Sequence, residues 1–467
     1  MPDAYVLGLG KSGFYAARLL KAKGWQVRVS DRGSSPELTR RCEQLKAEGI
    51  KVELGSNFNF DRIGVHTDLL VVSPGIAWDH PVLNRARELG IETIGEVELA
   101  WRYLRQYPWV GITGTNGKTT TTALTAAIFQ GAGLNAPACG NIGKAICELA
   151  DELVTTSNSS FDWIVAELSS YQIESAPSVQ PQIGIWTTFT PDHLNRHYTI
   201  EAYSNIKASL LRQSHQVVLN GDDPYLAETG RSLFPNAIWT SCTDSIPEAI
   251  ESGACIKDDW VIFAGAPVLP LSKFKLLGAH NKQNLLLAVA ASKLAGIDSE
   301  AIARSVSQFK GVAHRLEHIC NYQGINLIND SKATNYDAAE VGLKSVESPV
   351  ILIAGGESKQ GDAKAWLNTI QQKAAHTLLI GQAADEFAQL LNGVGYKSYE
   401  NMKTLDAAIP KAIDLAQKLN ATAVLFSPAC ASFDQYANFE QRGDHFRSLS
   451  LAICEASNDR KARSSSL

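Results

Sequence analysis

The chain has 467 residues, room for two to four domains at roughly 150 residues each, with three the central expectation. Hydrophobic residues make up 45% and charged residues 19%, the balance of an ordinary globular protein and not of a disordered one. Lys and Arg number 43 against 48 Asp and Glu, a net charge of −5, which argues against a dedicated surface for nucleic acid or an anionic membrane.

No apolar run approaches the roughly 18–20 residues of a bilayer span. Met1-Pro2-Asp3-Ala4 leads directly into a strand pattern without the basic stretch of a signal peptide, so a cytoplasmic protein is expected. The eight cysteines stand at 42, 139, 147, 242, 255, 320, 430 and 454, none in a CxxC pair. That spacing fits neither a zinc knuckle nor a disulfide scaffold, and buried free thiols are expected.

Short β-branched runs alternate with amphipathic stretches almost from end to end, the βαβ pattern of parallel sheets covered by helices. Residues 4–9 read as a strand, 12–23 as a helix and 25–30 as a second strand; a buried strand at 69–73 closes in the turn Ser73-Pro74-Gly75. Helical patterns at 81–89 and 96–107 lead to Pro108, a first boundary. The pattern restarts with a strand at 109–113, a glycine-rich loop and a helix from Lys118 to about Gln130, followed by strands at 163–167, 183–189 and 216–220. From about 230 to 276 the periodicity is poor and rich in Pro and Gly, as in a small antiparallel excursion. A helix begins near His280, and the stretch 309–315 is a second boundary. Strands at 325–329, 350–354, 377–380 and 423–427 follow with helices between them, and the last ten residues read as a frayed tail.

Gly8-Leu9-Gly10-Lys11-Ser12-Gly13 follows a strand and opens a helix, with Asp31 closing the next strand. Such glycines let a backbone approach a pyrophosphate at a helix N-terminus, or simply make a tight turn; nothing in them separates NAD from another nucleotide. Gly111-Ile112-Thr113-Gly114-Thr115-Asn116-Gly117-Lys118-Thr119-Thr120 carries more information. Gly114 and Gly117 free N–H groups for phosphates, Lys118 reaches the terminal phosphates, and the Thr119 hydroxyl suits Mg²⁺. The loop departs from the usual P-loop spacing, because Ile112 stands where a glycine would.

A triphosphate site needs a carboxylate for its metal, and Glu167 at the end of a strand is positioned for that. Asp192-His193-Leu194-Asn195-Arg196-His197 follows another buried strand and reads as a polar site. Asn329-Asp330-Ser331-Lys332-Ala333-Thr334-Asn335 offers groups for a ribose, a phosphate or a carboxylate, with Asn335 as helix cap. Ser427-Pro428-Ala429-Cys430-Ala431-Ser432-Phe433-Asp434 is a small-residue turn suited to carboxylate capture; Cys430 has no evident base to make it a nucleophile.

Taken with His280-Asn281 and His314-Arg315, these motifs run in order along the chain and together resemble the Mur ligases, most closely the members that join D-glutamate to UDP-N-acetylmuramoyl-L-alanine. The resemblance implies an α/β protein of three domains: an N-terminal Rossmann-like domain for the UDP substrate (1–107), a central P-loop ATPase-type parallel sheet (108–311) and a C-terminal Rossmann-like domain for the amino acid (312–467). It implies ATP-dependent amide formation through an acyl phosphate in peptidoglycan precursor synthesis, with ATP and two Mg²⁺ ions.

Carried over position by position, Gly10, Ser12, Asp31, Arg32 and Asn141 match contacts to the UDP substrate. Gly114, Thr115, Asn116, Gly117, Lys118, Thr119 and Thr120 match the phosphate loop, and Asn281, Asn284, Arg315 and Asp330 further ATP contacts. Thr119, Glu167, His193 and Lys207 match metal-site positions, Lys207 being the lysine the family carbamylates. Lys332, Thr334, Lys359, Ser432, Phe433 and Phe439 match positions at the ATP and D-glutamate pockets. Asn195 departs from the family, which often has Asp there. The expected partners are the two substrates alone, with no nucleic acid, no membrane and a monomeric chain. The alternatives are another Mur ligase or a folylpolyglutamate synthase, which share the ATPase core, and, from another class, an NAD-dependent oxidoreductase using Gly8–Gly13 and Asp31.

Overall fold

A computed structural model describes the chain apart from residues 65, 157–159, 244–245, 359–360 and 465–467. The chain divides into two compact units, residues 1–275 with 280–309, and residues 276–279 with 310–467.

The first unit holds two sheets. In one, β1 (Asp3–Leu7), β2 (Gln26–Asp31), β3 (Lys51–Leu54), β4 (Leu69–Val72) and β5 (Glu92–Gly95) lie parallel in the order 3-2-1-4-5. The order reverses at β1, and the loop Gly8–Gly13 leaves its carboxyl end, where open α/β sheets bind ligands. The other sheet contains β6 (Trp109–Thr113), β7 (Ala138–Gly140), β8 (Ile164–Glu167), β9 (Ile183–Trp186), β10 (Gln216–Asn220), β11 (Ile238–Ser241), β12 (Ala254–Lys257), β13 (Trp260–Phe263) and β14 (Ala266–Pro270). Its order is 14-13-12-11-10-9-6-8-7. Strands β6, β8 and β9 are buried at every residue, which is why they read as unbroken apolar runs. The antiparallel excursion is smaller than the sequence pattern suggests: β11 and β12 still pair in parallel, and only β12, β13 and β14 form antiparallel hairpins.

Helix Lys11–Ala22 of the first sheet packs on helix Ile146–Thr155 of the second, with Lys11 paired to Glu148 at 3.0 Å and Arg18 to Asp151 at 3.4 Å. Glu96, first in helix Glu96–Leu104, is buried between them and accepts the Cys147 N–H at 2.6 Å through one oxygen, while its other oxygen has no partner. Burial pushes this carboxyl up to about 7.

The second unit is one sheet of β15 (Glu317–Tyr322), β16 (Ile325–Asn329), β17 (Val350–Gly355), β18 (Ala374–Ile380), β19 (Tyr399–Lys403) and β20 (Ala423–Phe426), in the order 15-16-20-17-18-19. It is parallel except for β15, which is antiparallel to β16. Its last helix, Phe439–Ser464, continues through most of the stretch that reads as a tail. Cys320 and Cys454 form a disulfide and the other six cysteines are not disulfide-bonded, so the expectation of thiols throughout is corrected for that pair. Among the described residues no helix is long and apolar enough to cross a membrane.

Candidate active site

The strand order 9-6-8-7 brings four loop regions to the carboxyl edge of one sheet. The loop after β6 carries Gly114 to Lys118, Asn141 follows β7, Glu167 ends β8, and the segment after β9 contains His193 and leads to the helix Ile200–Gln213 bearing Lys207.

The loop after β6 can be made only with glycine at its two turning points. Gly114 has φ +150, and a Cβ there would sit 2.0 Å from Thr187 Oγ1; Gly117 has φ +82, and a Cβ would sit 2.5 Å from Asn284 Oδ1. The loop is held from beneath, with Thr115 N–H donating to Thr188 O at 2.8 Å and Asn116 N–H to Thr188 Oγ1 at 2.9 Å. Lys118 opens helix Lys118–Gly131 and curls back, donating to Gly114 O and Thr115 O at 2.8 Å each. Thr119 is buried at the helix start and Thr120 half-buried. Asn284 accepts from the Thr121 hydroxyl at 3.2 Å and donates to Asn281 Oδ1 at 3.2 Å, so both asparagines lie against this helix.

Glu167 is 1% exposed. Asn141 Nδ2 donates to its Oε1 at 2.8 Å, while Oε2, equally buried, has no hydrogen-bond partner. A buried unpaired carboxylate oxygen is costly unless a cation or donor fills the place. His193 has a left-handed backbone (φ 55), its Nδ1 lies 3.0 Å from the Tyr171 hydroxyl and its Nε2 3.5 Å from Asp192. The second histidine of that segment, His197, is not a site residue of the same kind. It is buried, stacks on Tyr203 with ring centroids 5.4 Å apart, and is pushed down to about 4 by burial and by the neighbouring Arg196.

Lys207 is 1% exposed and donates to Gly114 O at 2.9 Å, with Nζ 4.4 Å from the centroid of the Tyr203 ring. Burial, followed by the repulsion of Lys118, holds its ammonium well below the ordinary lysine value. Among the described residues no three His, Cys, Asp or Glu side chains gather as a self-sufficient metal cluster. The loops at this sheet's carboxyl edge instead carry two oxygen donors, the Thr119 hydroxyl and the unpaired Glu167 oxygen, and the segment after β9 adds His193. Oxygen donors of this kind are the ones Mg²⁺ takes.

In the first sheet, Gly13 lies so close to Gly8 that a Cβ would meet Gly8 O at 1.9 Å. Gly10 caps helix Lys11–Ala22, whose first turn contains Ser12. Both Asp31 oxygens take main-chain donors, Leu9 N–H at 2.6 Å and Gly33 N–H at 2.7 Å, so Asp31 shapes the loop. Arg32 lies over the Phe58 ring at 4.7 Å, with Nη2 2.8 Å from His80 Nε2. Lys11 donates to Gly143 O at 2.8 Å, tying this loop to the segment that carries Asn141.

In the second unit, Asp330 is buried, accepts from Ser427 Oγ at 2.8 Å and Leu316 N–H at 3.2 Å, and is pushed up to about 7 by burial, with Arg315 opposing. Lys332 lies over the Phe439 ring at 3.7 Å. Ser432 is buried, Thr334 half-buried and Phe433 71% exposed. Lys359 lies outside the described residues.

Three residues had no role in the sequence reading. Arg442, 1% exposed, donates to Ser331 O (2.8 Å), Ser331 Oγ (3.1 Å), Cys430 O (3.0 Å) and Ala431 O (2.9 Å), fastening the loop after β16 to the loop after β20. Tyr171 supports His193, and Tyr203 lies under Lys207. Each lies a few residues from a position already singled out, Tyr171 after Glu167, Tyr203 before Lys207 and Arg442 after Phe439, but nothing local in the sequence marks its contact.

Comparison with known proteins gives three family matches: the Mur ligase MurD-like N-terminal domain over residues 2–95, the Mur ligase middle domain over 112–292, and the Mur ligase glutamate ligase domain over 314–430. The chain is 56% identical to the UDP-N-acetylmuramoylalanine–D-glutamate ligase of Nostoc punctiforme, covering 97% of each chain. It is 55% identical to the protein of that name from Synechocystis, covering 97% of this chain and all of the other. Among solved structures, the UDP-N-acetylmuramate–alanine ligase of Thermotoga maritima superposes with a TM-score of 0.60 at 19% identity, over 97% of this chain and 99% of that one. A pseudomurein peptide ligase from Methanothermus fervidus gives 0.57 at 21%, over 97% and 100%. At those identities the structures bear on the fold alone.

Proposed function

The chain belongs to the Mur ligase family, and we propose that it joins D-glutamate to UDP-N-acetylmuramoyl-L-alanine with ATP, in peptidoglycan precursor synthesis. One observation carries the mechanism: Lys118 and Lys207 converge on the Gly114 carbonyl at the same sheet edge as the unpaired oxygen of Glu167.

A carboxylate resists amine attack. The alanine carboxylate oxygen therefore attacks the γ-phosphorus and ADP leaves; the D-glutamate amine then attacks the acyl carbon, loses a proton, and inorganic phosphate departs with the bonding pair. The main-chain N–H groups of 114–117 and the N-terminus of helix Lys118–Gly131 receive the phosphates. Lys118 exchanges its two carbonyl partners for phosphate oxygens and offsets the repulsion between two anionic reactants. Thr119, Glu167, His193 and Lys207 are the proposed Mg²⁺ residues, and the metal (two ions in this reading) supplies positive charge beside those oxygens. Asn141 orients Glu167 and is assigned to the substrate.

Lys207 takes that part only after modification. An ammonium has no acceptor, but burial disfavours the charge on Lys207, and its deprotonated amine adds to CO₂: an N–C bond forms, a proton leaves, and an anionic oxygen donor results. Gly10, Ser12, Asp31 and Arg32 are assigned to the UDP moiety, Asn281, Asn284, Arg315 and Asp330 to ATP, and Lys332, Thr334, Lys359, Ser432, Phe433 and Phe439 to ATP and D-glutamate. The reading places a monomeric enzyme in the cytoplasm. Phosphate release with UDP-N-acetylmuramoyl-L-alanine, ATP and each amino acid in turn tests it. Release with D-glutamate alone is expected; release with a different amino acid makes the chain another Mur ligase, and none with any amino acid ends the reading.

A further inference from the structure

The segment that carries His193 is conformationally unusual. His193 (φ 55) and Tyr198 (φ 64), both non-glycine residues in the left-handed region, stand at either end of the single turn Leu194–His197. Such backbone persists only where the surroundings hold it. Tyr198 is 70% exposed, so its ring is not held by a core. Its hydroxyl instead donates to Asp79 Oδ2, 119 residues away in the turn after β4.

A second link runs beside the first. In the same turn, Trp78 is covered by the Arg87 guanidinium at 4.1 Å and accepts from Arg87 Nη2 at 2.8 Å. Glu174 attracts Arg87 electrostatically and is paired with Arg196, inside the turn Leu194–His197. Asp79 is followed by His80, which lies 2.8 Å from Arg32 and caps helix Pro81–Glu88. The contact thus joins the turn whose His80 side chain meets Arg32 to the single turn that follows His193.

We propose that Asp79 and Tyr198 form a clasp that couples the UDP end of the substrate site to the His193 segment, so that a substrate settled against Arg32 also orders the turn that presents His193. Asp79 and Tyr198 are positioning residues and touch no reactant. The proposal rests on the ligase reading for the identity of the substrate. Reciprocity follows: whatever order the substrate confers on residues 194–199, that order returns as substrate affinity.

The test compares the full chain with Tyr198→Phe, Asp79→Ala and the double variant. Tyr198→Phe keeps the ring and removes only the donor. UDP-N-acetylmuramoyl-L-alanine alone, without ATP, is expected to slow amide hydrogen exchange at residues 194–199 by about fivefold or more in the parent and by less than about twofold in Tyr198→Phe, within the range of ordinary coupling. KM for that substrate should rise about fivefold in each single variant and no further in the double, as for two halves of one contact. KM for ATP should stay near that of the parent. Equal protection in parent and Tyr198→Phe, no protection in the parent, or multiplicative effects in the double variant overturns the clasp. Failure of the ligase reading is seen separately, as a parent protein that makes no product.

Discussion

Lys118 and Lys207 donate to the same acceptor, the carbonyl oxygen of Gly114, at 2.8 and 2.9 Å. Two ammonium groups on one carbonyl repel each other, and the buried one yields: Lys207 is the lysine whose charge is disfavoured. The geometry therefore divides the labour between two residues of identical chemistry. In the proposed mechanism Lys118 is the cation for phosphate and Lys207 the lysine that takes up CO₂.

For Lys118, replacement by alanine should lower phosphate release on the order of 10³-fold, as for loss of a preorganised charge partner. Binding of UDP-N-acetylmuramoyl-L-alanine, measured by calorimetry, should be unchanged, because Arg32 and the loop Gly8–Gly13 belong to another sheet. Turnover near the parental rate would remove the phosphate-loop assignment.

Lys207→Ala should lose at least about 10²-fold in activity and recover part of it with formate, a small carboxylate that fits the vacated space. Lys207→Arg should not recover, since the guanidinium stays cationic and occupies that space. Independently of activity, the parent supplied with ¹³C-labelled CO₂ should show a carbamate carbon signal that Lys207→Ala lacks. An unmodified amine under those conditions refutes the modification.

Glu167→Gln should weaken Mg²⁺ binding in the presence of a non-hydrolysable ATP analogue by on the order of 10²-fold, as loss of a metal-site residue does. The amide can still accept from Asn141 at Oε1, so folding should persist. Calorimetry with Mg²⁺ reads the effect, and parental metal affinity would exclude Glu167 as a metal residue.

Arg32→Ala should raise KM for the UDP substrate about tenfold, or ~1.4 kcal/mol, and leave KM for ATP within a factor of two or so. Equal rises in both constants would mean that the stack of Arg32 on Phe58 serves the fold rather than the substrate.

The buried Glu96 sets a pH dependence of stability. Its carboxyl stands at about 7 in the folded chain against 4.5 ordinarily. Between those values the folded chain keeps a proton that the unfolded chain has released, so stability falls as pH rises through the window. Glu96→Gln removes that slope. Relative to the parent, the variant should gain on the order of 1–3 kcal/mol between about pH 5 and pH 8, read by urea denaturation. A constant offset between the two proteins would show that Glu96 does not titrate in this range.

What the sequence reveals depends on how local the encoding is. The loop Gly114–Thr119 is legible because one strand, two glycines and a lysine sit within a few residues of each other and each has a separate physical reason. Glu167 is legible from its place at a strand end. Lys207 alone looks like any helical lysine, and only the family resemblance marks it. Its pairing with Gly114 spans 93 residues and its burial depends on the packing of Tyr203. Arg442 is hidden for the same reason, since its four acceptors lie in two distant loops. The short strands β3, β5, β7 and β19 escape because they are partly exposed and so lack the unbroken apolar run that marks buried strands of the same length, such as β8 and β9. The Cys320–Cys454 link escapes because it requires knowing that the last helix lies on β15.

A single hydrophobic core runs through both sheets of the first unit, from Leu19 and Leu20 through Leu99 and Leu104 to Trp109, Leu149 and Ala150. Residues 1–107 therefore share their core with the residues that follow Pro108 in the same compact unit. Cut away at Pro108, they would carry a bare apolar face where helix Ile146–Thr155 lay, and Glu96 would lose the helix start it caps. Anyone seeking an isolated UDP-binding fragment, for ligand screening or as a graft onto another scaffold, should carry the cut to the end of the first unit or replace that face with polar residues.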